Sequence, residues 1–453
     1  MKIIIVGIGK LGEYLTKLLA KENNEITVVD INFNGNEDII NNEDINYVRG
    51  NGLDSNVLIE AGAKESDLLI SAMELDSENI VCALIAKKLG TKNTIARIRA
   101  PEYNNSINYI SETLGLSMSI NPEKLAATHI FQSLSIPNAL DATSFFGGKM
   151  YVVKIKIKEH SPFKDLSIEQ ISKKVNNKTI ICAIERDGEI IIPNGITKIY
   201  ENDKMHIIGN RKDILYFLNI GKFVKNKTKD VIIIGGSNIG IYLAKMLVDT
   251  GMNVKLIEDN KDRCKLLSEK LDDVLIINGD ASDEKILYEE GIEDCDAIVS
   301  LSNIDEENIV YSMFASIVGV PKIITKINHI NLKGVAKKAC IDTIITPHKI
   351  AANQVVQYVR AIENSQSSPC ESIYKFGDDI FEVIEFKVKS NFIELHKKIK
   401  DIHFKQDLLI GVIQRGESIF CPTGNDEIKL KDRILVICKN PDGKIRELND
   451  VVK

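Results

Sequence analysis

The sequence predicts an α/β chain made by tandem duplication, in which two Rossmann-like parallel-sheet domains are each followed by a small mixed α+β domain. The first observation behind this is an apolar strand running into a glycine-rich turn and a helix, "KIIIVGIGKLGEYL" at 2–15, which returns as "DVIIIGGSNIGIYL" at 230–243. The second is spacing. Gly235 follows Gly7, and Glu258 follows Asp30, by 228 residues; Gly279 follows Gly50, Gly291 follows Gly62, Ser300 follows Ser71, and "DEENIV" (305–310) follows "DSENIV" (76–81) by 229. One inserted residue accounts for the change. The third is that the match continues: "INPEKLAA" (120–127) answers "ITPHKIAA" (345–352), and "IERDGEIIIPNG" (184–195) answers "IQRGESIFCPTG" (413–424). Both halves therefore carry the same two modules in the same order.

In the first module, short apolar runs at 2–6, 26–30, 46–48, 67–72 and 94–98 read as strands alternating with helices. The helix expected at 10–21 sets Leu11, Leu15, Leu18 and Leu19 on one face. Such alternation implies a parallel sheet covered on both sides. The second module reads differently: a strand at 150–157, a short helix at 166–175, a hairpin over 179–193 turning at Asp187-Gly188, and a last strand at 204–208. The Lys-rich stretch "GKFVKNKTKD" (221–230) reads as the seam between the halves. The expected domains are 1–139, 140–221, 230–350 and 369–453.

Composition narrows the function. At 453 residues the chain is too long for one core. With 44% hydrophobic and 27% charged residues it reads as an ordinary globular protein. A net charge of −6 and the absence of Trp argue against a nucleic-acid partner. No apolar run reaches the roughly 18 residues of a membrane span, and the N-terminal residues enter a strand without a basic, apolar leader, so a cytoplasmic protein is expected. The eight cysteines show neither C-x-x-C pairs nor metal spacing and read as reduced, mostly buried thiols; no metal site is expected.

The chemistry lies in the glycine turns. Gly7, Gly9 and Gly12 have the full dinucleotide spacing: a tight turn, a close backbone approach to a pyrophosphate, and close helix packing. Phosphates then sit at a helix N-terminus, where unpaired N–H groups favour negative charge. Asp30 ends the second strand, where a carboxylate accepts from a ribose 2′-OH; a 2′-phosphate would be repelled, which favours NAD(H) or an adenine nucleotide over NADP(H). The second turn runs Gly235, Gly236, Ser237, Asn238, Ile239, Gly240, so Ser237 stands where Gly9 allows the close approach. Its side chain would either crowd a pyrophosphate or offer it a hydroxyl. Glu258 keeps the ribose carboxylate, one methylene longer.

A dehydrogenase would also need a proton donor or acceptor set against the nicotinamide. The seven histidines do not occupy equivalent places in the two repeats. His129 reads as a structural residue on an apolar helical face, and His329 and His348 as surface residues. Asp76 and Glu78, with Asp305 and Glu307, read as acidic first-turn residues favourable to a helix N-terminus. No nucleophile elbow, Walker loop or H-E-x-x-H is present. No catalytic residue is assigned, and a duplicated nucleotide module without duplicated catalytic groups points to sensing.

The signatures "IIIVGIGKLGEYL" with "VVD", "IARIR" (95–99) and "NPEKLAA", together with their second copies, resemble the TrkA family of Trk-system potassium-uptake proteins, built of two tandem RCK (regulator of potassium conductance) units. The resemblance covers essentially the whole chain. It implies a regulatory subunit that binds NAD(H), and in some members ATP or ADP, and gates a separate membrane potassium transporter. It further implies a homo-oligomeric ring, a dimer or tetramer, peripheral at the inner face of the cell membrane. Carried onto matching positions, the first ligand loop is Gly7, Ile8, Gly9, Lys10 and Leu11, with Asp30 on the ribose, Met73 and Glu74 beside the adenosine, and Arg97 closing the site. In the second copy these are Gly235, Gly236, Ser237, Asn238 and Ile239, then Glu258, Ser302, Asn303 and Lys326. Asn51 stands where the second copy has Asp280. The alternatives from other classes are an NAD-dependent oxidoreductase and a DNA-binding redox sensor.

Overall fold

Near-continuous apolar central strands, shielded from water on both faces, form two six-stranded parallel sheets with more exposed edge strands. The computed structural model describes residues 1–33, 44–103, 115–176, 178–223, 227–339, 341, 343–363, 370–376, 381–439 and 445–453. Across the first sheet the strands run Ile45–Arg49, Glu25–Asp30, Lys2–Val6, Leu68–Ser71, Asn93–Arg97 and Met118–Ile120, all parallel. The second repeats this order with Leu275–Asn278, Asn253–Glu258, Asp230–Ile234, Ala297–Ser300, Lys322–Lys326 and Thr343–Ile345. Chain order reverses direction beside the first strand of each sheet, the place where such folds leave a crevice at the strands' carboxyl ends. The sixth strands lie outside the runs expected from the sequence pattern.

The small domains are antiparallel. In the first, Glu189–Ile191, Ile180–Arg186, Lys204–Gly209, Met150–Lys156 and Asp141–Phe145 lie side by side. The hairpin turns at Asp187 and Gly188, both at positive φ, as a two-residue turn of the primed type requires. Asp141–Phe145 and the helix Arg211–Ile220 were not foreseen. The two small domains meet through Phe145, Met150, Val152 and Ile208 on one side and Phe381, Val383, Leu435 and Ile437 on the other.

The halves also exchange helices. Pro122–Ser135 starts at an Asn121 cap that accepts from the Lys124 N–H at 2.8 Å. It buries Ala126, Ala127, Ile130 and Leu134 not in its own half but in the core of the second sheet, against Ile239, Tyr242 and Leu243. Reciprocally, Pro347–Glu363 buries Ala351, Ala352, Val355, Val356 and Val359 in the first core beside Leu11, Leu15 and Leu19. The paired alanines of "LAA" and "IAA" give each helix its close approach. Each fully buried valine contributes about 1.5–3 kcal/mol by transfer from water. The seam at 221–230 therefore does not separate two self-sufficient cores.

Polar groups lock the exchange. The Tyr242 hydroxyl donates to the Arg99 carbonyl at 3.2 Å and accepts from Asn121 Nδ2 at 3.0 Å. Arg360, fully buried near the end of the second exchanged helix, reaches Glu22 of the first parallel-sheet domain at 3.0 Å and Glu382 of the second small domain at 3.4 Å.

Candidate functional site

The first glycine turn is shaped by contacts that leave no room for side chains at two of its three glycines. Gly7 has φ +92°, and a Cβ there would lie 2.9 Å from the Met73 nitrogen; a Cβ on Gly12 would come within 1.9 Å of the Gly7 oxygen. Gly9 is different. A Cβ there would meet nothing within 4 Å, so its backbone faces open space. Gly9 ends in the N-cap position of Lys10–Lys21 with no side chain to bond the first helical N–H groups. That helix start is left available to an anion.

The second turn takes the same path. Gly235 has φ +98°, and Ser237 (φ −67°, ψ 169°) superposes in backbone conformation on Gly9 (φ −66°, ψ −177°). Ser237 therefore needs no glycine-only geometry. Its hydroxyl caps its own helix, accepting from the Gly240 N–H at a long 3.5 Å. One N–H that the first turn leaves open is loosely occupied in the second.

The two acids at the strand ends do equivalent work. Asp30 Oδ2 accepts from the Ile8 N–H at 2.7 Å, and Glu258 Oε2 from the Gly236 N–H at 2.7 Å. Each tethers its glycine turn while its oxygens keep lone pairs for a further donor. The loop opposite is held by an asparagine in each half. Asn79 accepts from the Met73 N–H at 2.7 Å and donates to the carbonyls of Met73 and Arg97; Asn308 accepts from the Ser302 N–H at 2.8 Å and donates to those of Ser302 and Lys326. These asparagines lie within the repeated "ENIV" but were not singled out from it.

The helix exchange brings both turns to one cleft of about 1290 Å³. Its lining includes Gly7, Gly9, Lys10, Leu11, Asp30, Met73, Glu74 and Arg97 from the first half, with Gly236, Ser237, Asn238, Ile239, Glu258, Asn303 and Lys326 from the second. Of the residues expected at the sites, Ile8, Gly235 and Ser302 are not part of this lining; the backbone N–H groups of Ile8 and Ser302 bond Asp30 and Asn308. The cleft exceeds the roughly 300–1,000 Å³ of a single-ligand pocket.

Its electrostatics are mixed. Arg97 Nη2 stands 3.7 Å from Glu123 Oε1, while Arg97 Nε and Glu123 Oε2 are buried with no hydrogen-bond partner among the described residues. Burial pulls the Arg97 guanidinium below its ordinary value and pushes the Glu123 carboxyl up. An unmet N–H on a buried cation suits a phosphate oxygen. Lys326, at the place of Arg97 in the second half, donates to the Leu301 carbonyl at 3.3 Å, and burial brings its ammonium down to about 8. Arg263 was missed in the sequence. Its Nε donates to the Gly236 carbonyl at 2.8 Å, and the corresponding stretch of the first half falls within 34–43, outside the described residues.

One reading of a side chain needs correction. His348 is buried rather than on the surface, edge-on to Tyr14 with ring centroids 5.5 Å apart, because the exchanged helix carries it into the cleft wall. Asp76 and Glu78, like Asp305 and Glu307, lie in the first turns of their helices, as expected. Beyond that, Asp76 Oδ2 accepts from the N–H groups of Arg99 and Ala100, both at 2.9 Å, and Asp305 Oδ2 from those of Asn328 and His329 at 2.8 and 2.7 Å. They pin the chain where it leaves the fifth strand. His129 is buried 3.1 Å from Asp141, a structural pairing. Cys82, Cys182, Cys264, Cys295 and Cys438 are buried thiols and Cys421 a half-buried one. Among the described residues no group of His, Cys, Asp or Glu could hold a metal ion, and no helix is long and apolar enough to cross a membrane.

This duplicated arrangement matches known proteins along nearly its whole length. The TrkA-N domain family matches residues 3–122 and 231–347, and the TrkA-C domain family residues 152–220 and 383–448. The chain belongs to the TrkA family. Among its relatives, a Trk system potassium uptake protein TrkA homolog from Archaeoglobus fulgidus is 30% identical over 439 residues, covering 97% of both chains. The Trk system potassium uptake protein TrkA of Halomonas elongata is 30% identical over 439 residues, covering 96% of this chain and 95% of its own. Solved structures share the TrkA-type fold at lower identity. The GsuK RCK domain superposes with a TM-score of 0.64 at 16% identity, covering 98% of this chain and 93% of that one. A GsuK channel bound to NAD superposes with a TM-score of 0.63 at 17% identity, covering 98% and 78%. The relatives carry the name of a potassium uptake system and not of an oxidoreductase.

Proposed function

We propose that this chain is a regulatory subunit of a membrane potassium-uptake transporter, binding NAD(H) at its first glycine turn and an adenine nucleotide such as ADP or ATP at its second. The observation that carries this reading is the shared cleft: two unequal turns, each tethered by an acid, open on a space closed by helices exchanged between the halves. In this reading Gly9 and the uncapped start of Lys10–Lys21 take the pyrophosphate, Asp30 the ribose, and Arg97 a phosphate oxygen. Glu258, Ser237, Asn238 and Lys326 serve the second ligand. A ligand that binds one arrangement of the halves better than another shifts the population between them; equal affinity would shift nothing.

The place of action follows from the same reading: the cytoplasm, peripheral to the inner face of the cell membrane, as a homo-oligomeric ring of two or four chains. An oxidoreductase would need a proton-transfer group at the nicotinamide, and the one histidine lining the described cleft, His348, is packed against Tyr14. Purification of the tagged chain in mild detergent, followed by reconstitution of what it retains and measurement of rubidium flux, tests the proposal. Retention of a membrane potassium transporter whose flux changes with added NADH or ADP is expected. Flux indifferent to both nucleotides with the chain bound would overturn it.

A further inference from the structure

A separate cavity of about 460 Å³ lies between the second parallel-sheet domain and the first small domain. Its lining includes four lysines, Lys156, Lys158, Lys222 and Lys322, with His160, and no Asp or Glu among the described residues. The rest of the wall is largely apolar, with Leu140, Phe223, Ile323 and Ile341. Thr343 Oγ1 donates to the Leu140 carbonyl at 2.8 Å, joining the two domains at the rim.

Lys322 is the informative residue. It begins the strand Lys322–Lys326 and is buried. Its ammonium donates to the carbonyls of Ser133 and Ile136, at the end of the first exchanged helix. That leaves one of its three N–H donors without an acceptor among the described residues. Burial brings it down to about 7. The fold does not require a cation there, since the equivalent residue of the first half is Asn93, which bonds the Asp67 carbonyl at 3.2 Å. A buried ammonium without a salt bridge among the described residues is costly, and the charge of Asp141 offsets that cost only in part.

We propose that this cavity is a third ligand site, for a small organic phosphate carried on an apolar or planar body. Its phosphate would meet Lys322, Lys158 and Lys222, and its body the wall of Phe223, Ile323 and Ile341. Because the walls belong to different domains, a ligand held there favours one angle between them. The site is independent of the glycine turns and of the nucleotide reading.

Calorimetric titration of the intact chain with phenyl phosphate tests it, alongside Lys322→Met and the surface pair Lys158→Gln/Lys222→Gln. Saturable binding is expected, weakened at least tenfold in both variants and tighter than inorganic phosphate by several-fold. Absence of saturable binding overturns the proposal. So does affinity unchanged in the surface pair, which places the probe elsewhere whatever Lys322→Met does. Should Lys322→Met fail to fold, the surface pair alone decides.

Discussion

Asp30 holds the backbone N–H of Ile8 at 2.7 Å, so the acid assigned to the ribose also tethers the turn that would receive the pyrophosphate. Asp30→Ala should therefore remove a charged hydrogen bond to the ligand and loosen the turn together. A loss of about 1–3 kcal/mol in NADH binding is expected by titration calorimetry. Unchanged affinity would take Asp30 out of the site.

Ser237 gives the second turn its difference. Its hydroxyl loosely caps the Gly240 N–H at 3.5 Å, while Gly9 leaves the matching helix start open. Ser237→Gly should free that N–H without disturbing the backbone, since its φ of −67° suits any residue. NADH binding at the second turn should tighten and approach that of the first. A weakening instead would mean that the hydroxyl bonds the phosphate directly.

Lys326 should make the second site sensitive to pH. Burial lowers its ammonium from 10.5 to about 8, so it is charged below that pH and neutral above it. ADP affinity at the second site should fall as pH rises from 7 to 9, because the cation facing the phosphate is lost. Lys326→Arg should flatten the profile, as a guanidinium stays charged throughout. The same shift makes the folded chain gain stability as pH rises from about 8 to 10.5, where the unfolded lysine still holds a proton that the folded one has released. A pH-independent affinity in the unaltered chain would remove Lys326 from the phosphate.

Arg360 joins three parts of the chain through Glu22 and Glu382, in full burial. Arg360→Met should leave two buried carboxylates short of their main cation and cost about 3–5 kcal/mol, read as a lower denaturant midpoint. A change under about 1 kcal/mol would show that Lys375, 3.3 Å from Glu382, suffices.

Much of this was legible before the structure. The duplication, the turns at Gly7 and Gly235, and the acids Asp30 and Glu258 declare themselves because glycine geometry and strand-end position are local properties of sequence. The exchange of Pro122–Ser135 and Pro347–Glu363 was not legible. Their apolar faces say that each helix is buried, but not against which of two similar sheets. The misplacement of His348 follows from that gap, since its surroundings come from the other half. Asp76 and Asp305 stand at helix starts as expected; their bonds to the chain beyond the fifth strand were not legible, because those partners lie more than twenty residues onward, where no local rule reaches.

The central claim is that two unequal sites in one cleft are read together. Titration of NADH into the intact chain, with and without saturating ADP, tests it most directly, and the intact chain is required because neither half has a complete core. The account predicts that NADH still binds with ADP in place, at an affinity changed by about fivefold or more, the scale of ordinary coupling between sites. Simple displacement of one nucleotide by the other, or an NADH affinity identical in both titrations, would contradict it.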